Sequence, residues 1–202
     1  MITVHHLQKS RSKRVLWLLE ELTMPYQVVV HQRDPVSNLA PPSLKKIHPL
    51  GKAPIIVDEQ RTLCESGAVM EYLLDKSEQQ ALRPAKDSPN YYSYVEWLHF
   101  AEGSLALPVI THLLLGLEQR DASQPLDYYI GKELAVDFTY IEQHLSQQPY
   151  FAGQQFSAAD IMMTIVLEIA DSQGLLQERS HTQAYLAKVQ LRPAYLKAAK
   201  QG

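Results

Sequence analysis

The chain is poor in cysteine, in excess basic charge and in long apolar runs. Its 202 residues include one cysteine, Cys64, so no disulfide can form within the chain, and a reducing compartment such as the cytoplasm is the expected location. Lysine and arginine number 19 against 22 aspartate and glutamate residues, a net charge of −3 with no basic cluster for nucleic acid. No apolar run approaches the roughly 20 residues that a membrane-spanning helix needs. We therefore expect neither a nucleic-acid nor a membrane partner.

The sequence also lacks the common local motifs of several enzyme classes. There is no GxGxxG or GxxxxGK[ST] for nucleotides, no GxSxG for a hydrolase nucleophile and no CxxC for disulfide exchange. The eight histidines are scattered and show no HExxH or Cys/His spacing, so no metal site is expected. Cys64 closes a short predicted strand and is expected to be a buried, unreactive thiol.

The first 78 residues alternate between strand and helix patterns. The predicted order is β-α-β-α-β-β-α, a strand-helix-strand unit followed by two antiparallel strands and a helix, which is the thioredoxin-like arrangement. The predicted strands span 2–7, 26–31, 54–57 and 61–64, and the predicted helices span 11–22, 43–47 and 65–76.

The second half is predicted to be entirely helical. Residues 79–90 are polar and proline-containing and are interpreted as a linker, so the predicted domains are 1–78 and 91–202. The first predicted helix is a long one with a bend at Gly103 or Pro108. The predicted helices span 91–117, 128–147, 157–173, 182–189 and 193–200. The fold class is therefore α/β plus all-α.

One helix start in this half carries a sharp local pattern. Ser157 and Asp160 form a capping box, with aspartate in the usual glutamate place, and Phe156 and Ile161 form a hydrophobic staple around it. Loss of the serine cap costs about 1 kcal/mol. We interpret this pattern as a folding element with no catalytic role.

The most informative stretch is His48–Val69. Pro54 has no N–H and opens the apolar run PIIV, and proline is tolerated at the first position of a strand. After a polar turn and a second short strand, Glu65 and Ser66 begin an apolar helix. The unpaired N–H groups of a helix start hold carboxylates, and a cis bond between Ala53 and Pro54 would expose a backbone edge to an extended peptide. The stretch predicts a socket for a small acidic peptide.

Taken together, these residues resemble the glutathione transferases over essentially the whole chain. The matching segments are SRSKRVLWLLEEL, KKIHPLGKAPIIVD, CESGAVMEYL and FSAADIMMT, and other segments are most similar to a fungal and bacterial branch. The resemblance implies a thioredoxin-like domain followed by an all-helical domain, a homodimer, and glutathione as co-substrate. It also implies a detoxifying reaction in which the glutathione thiolate attacks a small hydrophobic electrophile or reduces a peroxide.

The resemblance implies a role for Ser10 at the head of the first helix. In serine-type members a serine there donates a hydrogen bond to the glutathione sulfur. An ordinary N-cap serine is the structural alternative. Ser12 and Arg11 are rival candidates for activating the thiol. His5 and His6 occupy the place where other members carry a tyrosine, and we interpret them as structural histidines.

The resemblance also implies the residues that hold glutathione. Ser66 would bind the γ-glutamyl carboxylate, Glu65 the ammonium group, and the backbone of Ala53, before Pro54, the cysteinyl unit. Lys52 would reach the glycine carboxylate. Ordinary helix capping for the first pair and a solvated turn for the lysine are the structural alternatives.

The function implied is therefore that of a glutathione S-transferase, with glutathione peroxidase chemistry as a variant. A non-catalytic binding or regulatory protein on the same fold is the alternative, because one fold hosts unrelated functions. The dehalogenases and isomerases that depend on glutathione share this site and differ in the acceptor.

Overall fold

The strands of the first half form one mixed sheet. In the computed structural model, which describes residues 1–79 and 81–201, the strand order is β2-β1-β3-β4. β1 pairs with β2 in parallel and with β3 in antiparallel, and β3 and β4 form a hairpin. The strands are β1 (Ile2–Leu7), β2 (Tyr26–His31), β3 (Ile55–Asp58) and β4 (Arg61–Cys64). The predicted thioredoxin-like fold class is confirmed.

Helices α1 (Ser12–Glu21) and α2 (Ser66–Lys76) accompany this sheet. The apolar positions of α1 recur at helical spacing, and its leucines and Val15 are fully buried. The helix predicted over 43–47 is a 3₁₀ helix at Pro42–Lys46. Its five residues are too few for a stable α-helix, and 3₁₀ geometry is common in such short connectors.

The remaining helices are α3 (Tyr91–Phe100), α4 (Ala106–Leu115), α5 (Pro125–Gln147), α6 (Ala158–Asp171), α7 (Ser180–Gln190) and α8 (Pro193–Ala199). A π-helical turn, Ala101–Leu105, joins α3 to α4. It contains Gly103 and ends three residues before Pro108, which has no N–H for the residue four positions earlier. The predicted bend therefore takes the form of a wider helical turn.

The prediction for the start of α5 was three residues late. Pro125 occupies the first turn, where its missing N–H costs nothing. Gln124 and Asp127 form a capping box, and the amide of Gln124 donates to Asp127 Oδ2 (3.0 Å). Proline in the first turn and aspartate at the third position indicate this start in the sequence, although glutamine is an uncommon N-cap residue.

The chain divides into two compact units. The first unit contains residues 1–82 and 190–202, and the second contains residues 83–189. In the first unit α8 packs on α1, with Tyr195 edge-on to Trp17 (5.0 Å between ring centroids) and Arg192 Nε 2.6 Å from Glu21 Oε1. Residues 190–202, assigned above to the helical domain, thus group with the first unit. The domain limits 1–78 and 91–202 stay a prediction, and residues 80 and 202 within the linker and the second domain lie outside the described residues.

One helical stretch, Tyr91–Leu115, is long and apolar enough to cross a membrane by length and composition alone. Counting uninterrupted apolar residues missed it, because polar residues such as Glu96 and His99 interrupt the run. Tyr94, Trp97 and Leu105 of this stretch are nonetheless buried in the second unit. Core helices of globular proteins meet the same criterion, so length and composition do not decide its role.

Candidate active site

The turn between β1 and α1 is held by Arg33, which lies just beyond β2. Its Nε donates to the carbonyl of Gln8 (3.0 Å) and its Nη2 to that of Lys9 (2.9 Å). Its Nη1 donates to the carbonyl of Asn38 (2.9 Å). Lys9 has a φ of 52°, a left-handed conformation that costs a residue with a side chain about 1–2 kcal/mol. The arginine therefore fixes a strained turn directly before Ser10.

A line of hydrogen bonds runs from Ser10 into the interior. Ser10 Oγ lies 2.7 Å from Ser12 Oγ, which lies 2.8 Å from His6 Nδ1. Ser12 is fully buried and also accepts the amide of Leu7 (3.2 Å), whereas Ser10 is half-buried. Ser10 Oγ accepts the backbone N–H of Ser12 (3.2 Å), which is a capping contact. Of the two serines, Ser10 is the one that a ligand can reach.

Burial favours the uncharged form of the two imidazoles of β1. Burial, and then the positive charge of His31, lower the pKa of His6 and of His5. His5 Nδ1 lies 3.1 Å from His31 Nε2 on the neighbouring strand, so this residue is tied to the sheet. His6 is directed to Ser12, and among the described residues its buried Nε2 has no hydrogen-bond partner.

The start of β3 lies against the same end of β1. Leu7 and Cys64 belong to one apolar cluster against which the half-buried Ala53 packs. The Ala53–Pro54 peptide bond is cis, Pro54 is buried and Lys52 is exposed. The C-terminal ends of β1 and β4 and the start of β3 therefore lie together, at the end of the sheet where α1 begins.

The start of α2 is open toward solvent. Glu65 is exposed and has φ 72° and ψ 117°, an uncommon conformation for any residue other than glycine. The side chain of Glu65 makes no capping hydrogen bond to this helix, and the N–H groups of a helix start can bind an anion. Ser66 is buried, and Arg14 Nη1 donates to its Oγ (3.0 Å). Strained backbone of this kind is found at binding and catalytic sites.

Comparison with known proteins decides the family. The glutathione S-transferase N-terminal domain matches residues 4–81, and the C-terminal domain of the same family matches residues 108–193. Glutathione S-transferase 3 of Schizosaccharomyces pombe is 35% identical over 99% of this chain and 87% of its own length. The chain belongs to the glutathione S-transferase family. The sequence resemblance is thus confirmed.

Solved structures agree with this assignment. A glutathione S-transferase from Actinobacillus pleuropneumoniae superposes with a TM-score of 0.90 at 29% identity, over 100% of this chain and 92% of that one. A glutathione transferase from Phanerochaete chrysosporium in complex with oxidized glutathione has the same fold, with a TM-score of 0.82 at 21% identity over 99% of this chain and 95% of that one. The predicted catalytic transferase is confirmed, and nothing favours the non-catalytic alternative.

The lone thiol of this transferase is poorly suited to be a nucleophile. Cys64 is buried, its Sγ lies 3.7 Å from the carbonyl oxygen of Lys52, and burial raises the pKa of the thiol. The thiolate is the reactive form, so a raised pKa makes the residue unreactive at neutral pH. The geometry supports the interpretation of Cys64 as a packing residue.

Sequence reasoning missed two arginines that shape the candidate site. Arg14 is fully buried on α1, one turn before Leu18 on the apolar face. A charged residue on an apolar helix face is unusual, and this position could have indicated its role from the sequence. Arg33 follows β2 in an otherwise polar loop, and nothing local marks its contacts with Gln8 and Lys9. The sequence indicates Ser12 only as a rival to Ser10, whereas in the structure its buried hydroxyl contacts Ser10 and His6 at the same time.

Within residues 1–79 and 81–201 no group of three or more His, Cys, Asp or Glu side chains is placed to hold a metal ion. The absence of a metal cofactor stays a prediction.

Proposed function

We propose that this transferase binds glutathione in its first unit and holds the sulfur as a thiolate at Ser10. The observation that carries the proposal is the line of hydrogen bonds from Ser10 through Ser12 to His6. It ends at a half-buried hydroxyl beside the start of α1, where the partial positive charge of a helix favours an anion.

The direction of these hydrogen bonds decides what Ser10 offers. If His6 carries its proton on Nδ1, it donates to Ser12. The hydroxyl of Ser12 then donates to Ser10 Oγ, which at 2.7 Å is a nearer acceptor than the carbonyl of Leu7 at 3.2 Å. Ser10 then receives two hydrogen bonds, from the hydroxyl and the amide of Ser12. Its own O–H is free to donate to sulfur. In the other tautomer the hydroxyl of Ser12 donates to His6, and Ser10 uses its proton on Ser12.

The stabilisation required of Ser10 is modest. A thiol with a pKa near 8.5 is only a few per cent ionised at neutral pH, and each unit of lowering corresponds to about 1.36 kcal/mol. A hydrogen bond to a charged group contributes about 1.5–3 kcal/mol, and a helix start about 0.3–1 kcal/mol. Together they lower the thiol pKa by roughly one to three units, enough to make the thiolate the main form.

The remaining contacts position the tripeptide. The open start of α2 and the hydroxyl of Ser66, held by Arg14, suit the γ-glutamyl carboxylate. Glu65 is exposed beside it and suits the ammonium group. The half-buried backbone of Ala53 suits the cysteinyl unit, and the exposed Lys52 suits the glycine carboxylate.

The proposed reaction is conjugation to a small hydrophobic electrophile. The glutathione sulfur forms a bond to the electrophilic carbon, and the leaving group departs with the bonding electron pair. The enzyme contributes by holding the thiolate in place, since positioning alone supplies several kcal/mol of the barrier reduction. In the detoxifying role proposed here, the product is more polar than the substrate.

We also propose a cytoplasmic homodimer. Large apolar side chains of the second unit are exposed, including Tyr92, Leu107 and Tyr128, and a second copy would cover them. The single buried Cys64 suits a reducing compartment. Sedimentation at micromolar concentration tests the dimer, and a monomer there would contradict it.

Turnover of the Ser10→Ala variant tests the central residue. We expect kcat with a chlorodinitrobenzene acceptor to fall about 10- to 100-fold, the equivalent of one hydrogen bond to a charged group. The dissociation constant for glutathione should stay within about threefold, because the carboxylate and ammonium contacts remain. Arg11→Gln is the matched control at the neighbouring rival. Unchanged turnover in Ser10→Ala would remove Ser10 from the mechanism, and a large loss in Arg11→Gln alone would replace it with Arg11.

A further inference from the structure

His6 contacts the serines of the glutathione site through one of its two ring nitrogens. The side chain is buried on β1, and its Nδ1 lies 2.8 Å from Ser12 Oγ. Its Nε2 is also buried and has no hydrogen-bond partner in the described part of the chain. A buried polar group without a partner costs free energy, and such a group in a native protein calls for an explanation beyond packing.

The hydroxyl of Ser12 is surrounded by more polar groups than it can serve at once. A hydroxyl has one proton and two lone pairs. The amide of Leu7 (3.2 Å) can only donate and occupies one lone pair. The nearest remaining groups are Ser10 Oγ at 2.7 Å and His6 Nδ1 at 2.8 Å, whereas the carbonyl of Leu7 is a more distant acceptor at 3.2 Å. If one of these two nearest groups donates to Ser12, the other accepts from it.

The position of the proton on His6 therefore decides which way the hydroxyl of Ser10 points. A thiolate can only accept hydrogen bonds, so Ser10 serves it only when its own O–H is directed away from Ser12. Ser10 Oγ then accepts the amide of Ser12 (3.2 Å) as well as its hydroxyl. This arrangement requires His6 to donate from Nδ1. A thiol that keeps its proton makes no such demand, because it can donate to Ser10 itself.

We propose that His6 is a positioning residue: protonated on Nδ1, it directs the hydroxyl of Ser12 to Ser10 and thereby the hydroxyl of Ser10 to the glutathione sulfur. This inference rests on the proposed thiolate at Ser10 and adds the residue that sets the direction of its hydrogen bonds. Because such coupling is reciprocal, the bound thiolate in turn favours the Nδ1–H tautomer.

His6 does not itself take up the proton of the thiol. Burial, and then the charge of His31, lower the pKa of the ring and disfavour its charged form. The thiol proton therefore leaves to solvent when glutathione ionises, and His6 stays neutral. Its contribution is orientation, which separates it from a general base.

NMR of the histidine ring nitrogens tests the tautomer directly. The protonated and unprotonated nitrogens of a neutral imidazole are distinct, and the signals of His6 in the full-length labelled protein are those lost in His6→Asn. In the saturated glutathione complex, at a pH where ultraviolet absorbance shows the bound thiolate, we expect the proton on Nδ1. A proton on Nε2, or a charged ring, would overturn the proposal and leave the thiolate in place. Absence of the thiolate absorbance would instead contradict the proposed function, and this inference with it.

Two variants of His6 separate positioning from packing. His6→Leu keeps a side chain of similar size and removes the donor, so the thiol pKa of bound glutathione should rise by roughly one unit, as for one lost hydrogen bond. His6→Asn, whose amide N–H can take the place of Nδ1–H, should restore most of the lowering. His5→Leu is the matched control, because His5 is hydrogen-bonded to His31 on the neighbouring strand, and it should leave the thiol pKa unchanged. An unchanged thiol pKa in His6→Leu would refute the positioning role.

A double-variant cycle shows whether His6 acts through the serines. In a Ser12→Ala background, and equally in a Ser10→Ala background, His6→Leu should no longer raise the thiol pKa, because the hydroxyl that carries its effect is gone. The same rise in these backgrounds as in wild type would mean that His6 acts on the sulfur by another route, contrary to the proposal. Thermal unfolding confirms that each variant is folded.

Discussion

Two helix starts in this chain use a serine and a carboxylate in opposite ways. At the start of α6, Asp160 is completely buried and its Oδ2 accepts the amide (2.8 Å) and the hydroxyl (3.0 Å) of Ser157. Its Oδ1 accepts the amide of Phe151 and the hydroxyl of Tyr185, both at 3.0 Å. The carboxylate has no capacity left for a ligand.

At the start of α2 a serine and a carboxylate, here of glutamate, leave the helix open. Glu65 is exposed in a strained conformation, and the hydroxyl of Ser66 is held by Arg14. The carboxylate of Asp160, with its acceptors used inside the fold, stabilises a helix start, whereas the exposed carboxylate of Glu65, on a strained backbone, is the one that we propose to bind the ammonium group of glutathione. The difference lies in the long-range contacts of each start.

The largest effect on stability is expected at the start of α6, where all acceptors of the carboxylate are used. Asp160→Ala removes the acceptor of four hydrogen bonds and leaves the amides of Ser157 and Phe151 and the buried Ser157 hydroxyl without an acceptor in the interior. We expect the free energy of unfolding to fall by about 3–5 kcal/mol, measured by chemical denaturation. Asp171→Ala, at an exposed position of the same helix, is the control and should change it by less than about 0.5 kcal/mol. If Asp160→Ala lowered the free energy of unfolding by less than about 1 kcal/mol, the contrast between the starts of α6 and α2 would be wrong.

A substitution at the open start of α2 is expected to raise the stability of the protein and to weaken its binding of glutathione. Glu65→Gly relieves a positive φ and should raise the free energy of unfolding by about 1 kcal/mol. It should also weaken glutathione about tenfold, because the carboxylate for the ammonium group is lost. Calorimetry with glutathione and chemical denaturation measure the two effects.

Glu59→Gly is the matched control. Glu59 is another exposed glutamate with positive φ (55°), in the turn between β3 and β4. The same gain in stability with unchanged glutathione affinity is expected. If Glu65→Gly kept full affinity, the strained conformation would have no connection with binding.

A pH-dependent effect on stability is expected at a third carboxyl, the buried one of Asp137. Burial, and then Glu133, raise the pKa of Asp137 to about 6. The folded protein therefore holds this proton more tightly than the unfolded chain, and stability falls as pH rises from about 4 to 6. Asp137→Asn should match wild type below pH 4 and exceed it by about 1–3 kcal/mol at pH 7.5. Denaturation at both pH values measures this, and a variant that is less stable than wild type at pH 7.5 would contradict it.

The elements that the sequence predicted well are those set by neighbours along the chain. The alternation of Ile2–Leu7, the apolar face of α1 and the capping box at Ser157 all depend on residues within one or two turns, and all are present. The contacts of Arg14 with Ser66 and of Arg33 with Gln8 join residues far apart in sequence. They arise only once the sheet brings β1, β2 and β4 together, so no local pattern reports them.

In the candidate site, too, the features set by neighbours along the chain could be predicted and those set by long-range contacts could not. Glu65 and Ser66 could be proposed from the motif, but the strain at Glu65 and the burial of Ser66 could not. The line from Ser10 to His6 depends on the opposite faces that adjacent residues of β1 present. A histidine pair in a strand gives no sign of which member turns inward, and the structure assigns that place to His6.

The most direct measurement is the titration of bound glutathione by the ultraviolet absorbance of its thiolate, in wild type and in Ser10→Ala. The wild-type complex should show a thiol pKa lowered by roughly one to three units from about 8.5. In the variant the pKa should return toward the free value. A pKa that is unlowered in wild type, or equally lowered in both proteins, would contradict the assignment of thiolate stabilisation to Ser10.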